Sequence, residues 1–240
     1  MRNVRLLSLT LLTVAVFCAC GAEQKTADDA FVDLIIAPIE TAKMEFYWND
    51  ENGVIFKSIG NVKTYVEKHG KKLRFAMNGG MYQEDQKPLG LFIQNGKTVT
   101  PLNTRNAQGN FYLKPNGVFG IRRDHTAFVV TTENFNDDGQ IKFATQSGPM
   151  LLVEGKINKQ FAEGSDNLNI RNGVCVLDDG RIVFAISRRA VTFYAFAVHF
   201  QNAGCRNALY LDGFVSRMYA PEHGLSDVGG DFGVIIGVTE

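Results

Sequence analysis

The chain has 240 residues, with 25 basic against 25 acidic side chains, 45% hydrophobic residues, 18 phenylalanines and 24 glycines. A neutral balance lacks the basic face that nucleic-acid binding needs, and the apolar content excludes a disordered chain. The length suits one large domain, which would bury roughly 70% of its unfolded surface.

Met1–Arg5 carries two positive charges, and Leu6–Ala19 is an uncharged, mostly apolar run. Fourteen residues are too few to span a bilayer as a helix but suit the core of an export signal. The run ends in Phe17-Cys18-Ala19-Cys20-Gly21, which resembles a bacterial lipoprotein box, with Phe17 where leucine is usual. That resemblance makes residues 1–19 a signal and Cys20 the acylated residue. The competing reading is an ordinary secretory signal cut nearby, such as after Ala22. Residues 20–30 read as a small, polar tether, and the folded domain is expected over 31–240.

Phe31–Ala37 and Met44–Trp48 read as strands, followed by turn chemistry at Asn49–Gly53 and a strand at Val54–Lys57. A helix is expected from an Asn61 cap, with Val62, Tyr65 and Val66 on one face and a stop at Gly70. Further strands are expected at Leu73–Met77, Leu89–Gln94, Phe111–Leu113, Val118–Ile121 and Ala127–Thr131. Another is expected at Val174–Leu177. A second helix has Thr192 as cap, Phe193, Phe196, Ala197 and Phe200 at helical spacing, and Gly204 as its end. Leu209–Leu211 and Val234–Val238 complete the strands. Strands do not alternate regularly with helices, which weighs against a doubly wound parallel sheet. The expected fold is α+β, a single domain with a large curved mixed sheet and two or three packed helices.

Cys175 sits in an apolar strand and Cys205 after a helix end. Sequence leaves their pairing open and slightly favours two separate buried thiols. The cysteines and four histidines show no zinc spacing. Asn134, Asn136, Asp138 and Gly139 imitate the start of a calcium loop, but Thr145 stands where such a loop needs glutamate, so this segment reads as a turn. No metal ligands are assigned and no cofactor is established, although a divalent cation elsewhere stays open. There is no GxGxxG, P-loop, GxSxG or HExxH motif.

Four segments combine glycine with polar groups at strand ends: Met77-Asn78-Gly79-Gly80-Met81-Tyr82, Gln146-Ser147-Gly148-Pro149-Met150, Ile170-Arg171-Asn172-Gly173, and Leu209-Tyr210-Leu211-Asp212-Gly213-Phe214-Val215-Ser216. Each alone is an ordinary turn. The Asn-Gly-Gly segment would bring backbone N–H groups close to a ligand without Cβ obstruction.

Taken in order, these segments resemble the phosphodiester glycosidase family, which includes the lysosomal enzyme that uncovers mannose 6-phosphate by removing N-acetylglucosamine from a phosphodiester. The resemblance runs from about Phe31 to Val238. It is strongest to an exported bacterial branch, through Gly109–Phe119. It implies a site built from Asn78, Ser147, Arg171 and Asp212. Two departures bear on the substrate. Better-known members have two further glycines where this chain has Phe214 and Val215, and Asn172 stands where threonine or histidine is common.

Cleavage at an anomeric carbon builds positive charge on the sugar and negative charge on the departing phosphate. Asp212 is therefore expected at the first and Arg171, in a bidentate grip, on the second. Asn78, Gly79, Gly80, Ser147, Gly148, Gly213, Ser216 and Lys114 are the expected substrate-binding residues. Glu84 and Asp85 read as a solvated loop, and Arg188 and Arg189 as a solvated pair. Ser147 has no base beside it in sequence, so a nucleophilic role in a phosphatase or esterase is the weakest reading. The resulting expectation is an exported hydrolase acting on a sugar-1-phosphodiester or related envelope glycan. It would be periplasmic or anchored in the membrane by its N-terminal lipid alone. A non-catalytic glycan-binding or scaffolding lipoprotein of the same fold is the alternative.

Overall fold

Sixteen strands and two α-helices are built by the described residues, which in this computed structural model are 30–212 and 215–240. The expected signal, Cys20 and most of the tether lie outside them, as do Gly213 and Phe214.

The strands form three sheets in which every pairing described is antiparallel. The first has the order β1 (Phe31–Ile36), β12 (Ile182–Ser187), β11 (Asn172–Val176), β13 (Ala208–Asp212), β9 (Met150–Val153), β10 (Lys156–Ile157). The second runs β15 (Leu225–Ser226), β14 (Met218–Ala220), β3 (Leu73–Asn78), β16 (Ile235–Thr239), β2 (Met44–Tyr47). The third runs β5 (Lys97–Thr100), β4 (Phe92–Gln94), β8 (Ile141–Ser147), β6 (Gly117–Arg122), β7 (Ala127–Thr131). The expected α+β single domain is thus what the chain forms, with its strands divided among three sheets.

Alternation decides what each face meets. Val32, Phe75, Phe92, Phe119, Phe143, Val174, Phe184, Leu211 and Ile236 come from all three sheets and share one central core. The outer face of the first sheet, with Cys175, Val183, Ala185 and Tyr210, is covered by α2 (Phe193–Asn202) through Phe193, Phe196, Ala197 and Phe200. The outer face of the second sheet is covered by α1 (Ile59–Lys68) through Ile59, Val62 and Val66. Strand β12 is buried along its whole length because it is covered on both faces.

Thr192 caps α2 as expected, its hydroxyl accepting from Ala195 N–H at 3.0 Å. Helix α1 starts earlier than expected, because Ser58 rather than Asn61 is the cap and Asn61 donates its N–H to the Ser58 hydroxyl at 3.2 Å. Val54–Lys57 forms no strand beyond a single bridge from Ile55 to Asn49. Asn110–Tyr112 is a 3-10 turn where a strand was expected, since Gly109 enters it at a φ of 102° and Leu113 N–H bonds back to the Asn110 carbonyl. Cys175 and Cys205 are bonded, with S–S 2.00 Å and Cα–Cα 6.1 Å, which overturns the reading as separate thiols. Both face α2, so packing of that helix brings them together.

Candidate active site

The site lies where the ends of β3, β11 and β13 meet. Asn172 is on the core-facing side of β11, two residues before Val174. Opposite it, β13 carries an extra residue: Asn172 pairs with Asp212, but Gly173 pairs with Tyr210. Without that bulge Asp212 would follow Ala208 and Tyr210 to the α2 side; the inserted residue re-aims it inward.

A buried polar network results. Asn78 Nδ2 donates to Asp212 Oδ2 at 3.2 Å. Asn172 Nδ2 donates to the Asn78 carbonyl and side-chain oxygens, while Asn172 Oδ1 accepts the Asp212 N–H at 3.1 Å. Ser216 Oγ lies 3.2 Å from Asn172 Oδ1 and 3.0 Å from the Asp212 carbonyl. Arg217 N–H donates to Asn78 Oδ1 at 2.8 Å. Asn78 and Asn172 are fully buried, and Asp212 is 5% exposed. Asp212 reaches the surface in a cleft of about 250 Å3 that is also lined by Tyr82, Asn110, Tyr112 and Val215. Burial, with the Asp212 and Asp231 charges adding to it, pushes the Tyr82 phenol up to about 12, so it keeps its proton at neutral pH.

The expected residues separate into two groups. Asn78, Asp212 and Ser216 converge; Gly213 lies outside the described residues. The Arg171 guanidinium does not join them. It points to the opposite side of the sheet, fully buried, 3.6 Å from the Phe193 ring centroid. Its Nε donates to the Val191 carbonyl at 2.8 Å, Nη1 to the Tyr210 hydroxyl at 3.1 Å and Nη2 to the Asn167 carbonyl at 2.8 Å. Burial lowers its pKa. The expected grip on phosphate is therefore corrected: those donors are engaged inside the fold and out of reach of a ligand.

The motif glycines also serve packing. The Gly79 N–H donates to the Val234 carbonyl at 2.8 Å, and a Cβ there would lie 2.6 Å from Ile236 Cγ1. At Gly80 a Cβ would meet Thr145 Oγ1 at 2.6 Å, and at Gly148 it would meet Asn116 Cβ at 2.7 Å. These glycines allow close approach of neighbouring segments, and none of the three lines the cleft. Ser147 is fully buried and donates to the Leu211 carbonyl at 2.7 Å, a structural bond that leaves its hydroxyl inaccessible to a substrate. Lys114 is absent from the cleft lining; its amine lies 3.4 Å from Asn116 Oδ1. Asp85 pairs with Lys87 at 2.8 Å on an exposed loop, Arg188 and Arg189 are exposed, and Asp138 pairs with Arg122 at 2.7 Å.

Asn172 and Tyr82 belong to this site although neither was singled out for it. Alternation would have found Asn172: if Arg171 faces one way, Asn172 faces the other. Among the described residues no group of three His, Cys, Asp or Glu side chains is placed to hold a metal ion, and no helix is long and apolar enough to cross a membrane. A larger cleft of about 530 Å3 lies between β1 and α2, beside the Asp33–His199 pair. It is on the far side of the first sheet from Asp212, in the α2 layer.

Known proteins are similar to this chain in sequence and fold. The chain is 33% identical over 219 residues to the uncharacterized protein YigE of Escherichia coli K12, covering 90% of this chain and 85% of YigE. Its fold is similar to the catalytic domain of zebrafish N-acetylglucosamine-1-phosphodiester alpha-N-acetylglucosaminidase, auto-inhibited by its pro-peptide in that structure. The TM-score is 0.62 at 15% identity, over 88% of this chain and 84% of the zebrafish domain. A Burkholderia pseudomallei K96243 protein thought to be exported matches with a TM-score of 0.54 at 11% identity, over 87% of this chain and 73% of that one. The phosphodiester glycosidase model matches residues 71–232, a span that takes in Asn78, Asn172 and Asp212 together. With the network of those three residues at its centre, the chain belongs to the phosphodiester glycosidase family, a family of glycosidase-like hydrolases.

Proposed function

We propose that this protein is an exported hydrolase that cleaves a sugar-1-phosphodiester or related envelope glycan, with Asp212 at the anomeric carbon. The observation that carries the reading is the Asp212 carboxylate, oriented by Asn78 and opening into a cleft, in a chain of this family. As the sugar–oxygen bond breaks, positive charge grows on the ring, and a nearby carboxylate stabilises it as nucleophile or as a fixed charge. Phosphate leaves readily, so a strong general acid is less needed than for an ordinary glycoside. That fits a lining in which Asp212 is the one carboxylate among the described residues. The zebrafish relative, whose name describes action on an N-acetylglucosamine 1-phosphodiester, supports this substrate class.

Export is supported by the apolar N-terminal run and by the Cys175–Cys205 disulfide, which suits an oxidising compartment. Mass spectrometry of the mature membrane-fraction protein should find an acyl group on Cys20. Purified protein should release sugar from a model sugar-1-phosphodiester, and Asp212→Asn should lower turnover by about a thousandfold or more. Unchanged turnover in that variant would remove Asp212 from the chemistry. A second reading, a glycan-binding lipoprotein without turnover, is favoured by Val215, a branched apolar side chain on the cleft lining. Sugar-phosphate binding with no release of sugar would establish it.

A further inference from the structure

We infer that a pocket at the free edge of β2, built by Glu45, Tyr47, Asp50, Glu51 and Tyr65, binds a primary ammonium group. It shares no lining residue with the Asp212 cleft, and the inference does not rest on the hydrolase reading.

Strand β2 ends the second sheet, and alternation puts Glu45 and Tyr47 on the face that α1 covers. Opposite them on β16 stand Gly237 and Ile235. Gly237 makes room for the Tyr47 ring to lean toward Glu45: a Cβ there would lie 3.0 Å from Tyr47 Cε2. The ring meets Phe56 edge-on with centroids 5.9 Å apart, and Phe56 in turn meets Tyr65 at 5.0 Å. The turn after β2 adds Asp50 and Glu51. Gln94 and Phe143 of the third sheet line the other side of a pocket of about 250 Å3.

Two independent observations point to a cation. The first is charge: the described lining has three carboxylates and no basic side chain. Lys71, which is not on the lining, pairs with Glu45 at 2.8 Å, and Lys142 lies over the Phe143 ring. Among the described residues no ion pair engages Asp50 or Glu51. Glu51 accepts from the Tyr65 hydroxyl at 3.1 Å, and Asp50 Oδ1 accepts the Asn52 and Val54 N–H groups, so both carboxylates are held in place.

The second is Tyr47, which is 3% exposed. Among the described residues its hydroxyl is the one buried side-chain oxygen or nitrogen that makes no hydrogen bond. Leaving a buried hydroxyl unpaired is costly, and a missing ligand accounts for it. Burial, and next the nearby Glu45 charge, raises the phenol pKa, so the group stays protonated and its oxygen is an acceptor. Rotation of the Glu45 side chain, 37% exposed, opens that oxygen to a ligand.

The same residues select the cation. No group of three His, Cys, Asp or Glu among the described residues is placed to hold a metal ion. An alkylammonium donates N–H bonds to the Tyr47 oxygen and a carboxylate together, while its CH2 groups lie on the aromatic rings. A quaternary ammonium has no N–H to give.

Calorimetric titration of the full chain with butylammonium, Nα-acetyllysine amide, tetramethylammonium and magnesium chloride tests this. Butylammonium stands for a free amine and the lysine derivative for an amine carried on a peptide. At least one should bind, and the tighter of the two identifies the source. Tetramethylammonium and magnesium should bind about tenfold more weakly or not at all. Tyr47→Phe should weaken amine binding about tenfold, and Glu51→Gln should weaken it as well. In thermal melts without ligand, Tyr47→Phe should be as stable as wild type or more so, because it removes an unpaired hydroxyl and opens no cavity. A lower melting temperature for Tyr47→Phe would mean that the hydroxyl already has a structural partner, and would overturn the inference. So would wild-type affinity in that variant, no amine binding at about 10 mM, or a preference for tetramethylammonium or magnesium.

Discussion

Asn172 Nδ2 donates to both the carbonyl and the side-chain oxygen of Asn78, at 2.9 and 3.0 Å, tying the first sheet to the second beneath Asp212. Asn172→Ala removes these donors and an acceptor of the Asp212 N–H and the Ser216 hydroxyl, breaking up the buried network. The expected loss is about 2–3 kcal/mol of stability, with kcat falling more than KM rises because the carboxylate loses its orientation. Urea unfolding and steady-state kinetics check both; full kcat with unchanged stability would show that Asn172 positions nothing.

Arg171 is expected to behave as a structural residue. Arg171→Ala leaves a cavity beside Phe193 and strips partners from the Val191 and Asn167 carbonyls and the Tyr210 hydroxyl. About 3 kcal/mol or more should be lost, with KM for a phosphodiester unchanged in whatever fraction folds. A raised KM at native stability would instead restore direct contact with phosphate.

Alkaline stability follows from the tyrosines. Burial raises the pKa of Tyr47 and Tyr210, and burial first, then Asp212 and Asp231, raises that of Tyr82 to about 12. Unfolded tyrosines lose their protons near pH 10. The folded state therefore holds more protons above that point, and stability is full below about pH 10 and falls as pH rises toward 12. Phenolate absorbance should show these tyrosines titrating late in the native protein and together on unfolding. A single early transition for all seven tyrosines would contradict this.

The disulfide closes a loop of 30 residues. Cys205→Ser, or reduction, is expected to cost about 3–4 kcal/mol, read as a shift in denaturation midpoint. An unchanged midpoint would mean that packing of α2 alone holds that edge.

Much of this was readable in sequence where one local rule dominates. Thr192 before the spaced phenylalanines specified α2, and Asp212 was expected at the end of an apolar strand, where it ends β13 and lines the cleft. The Asn110–Tyr112 turn was misread because its apolar residues look like a strand, while Gly109 decides the backbone. Strands β8 and β12 escaped because burial on both faces erases their alternation. The assignment of Arg171 to phosphate failed for a different reason. The motif gives the residue but not the face of the sheet, which is fixed by Gly173 packing against Phe196 and Phe200.

The contacts at Asp212 join positions far apart in the chain: Asn78 is 134 residues from it, Asn172 and Asn78 are 94 apart, and Ser147 is 64 from Leu211. The first and second sheets meet at that junction, and the third is tied to the neighbouring Leu211 through Ser147. No fragment contains it, and such distant pairings form late and slowly. A chain still unfolded therefore lacks this junction, and any activity that depends on it can begin only where folding is completed.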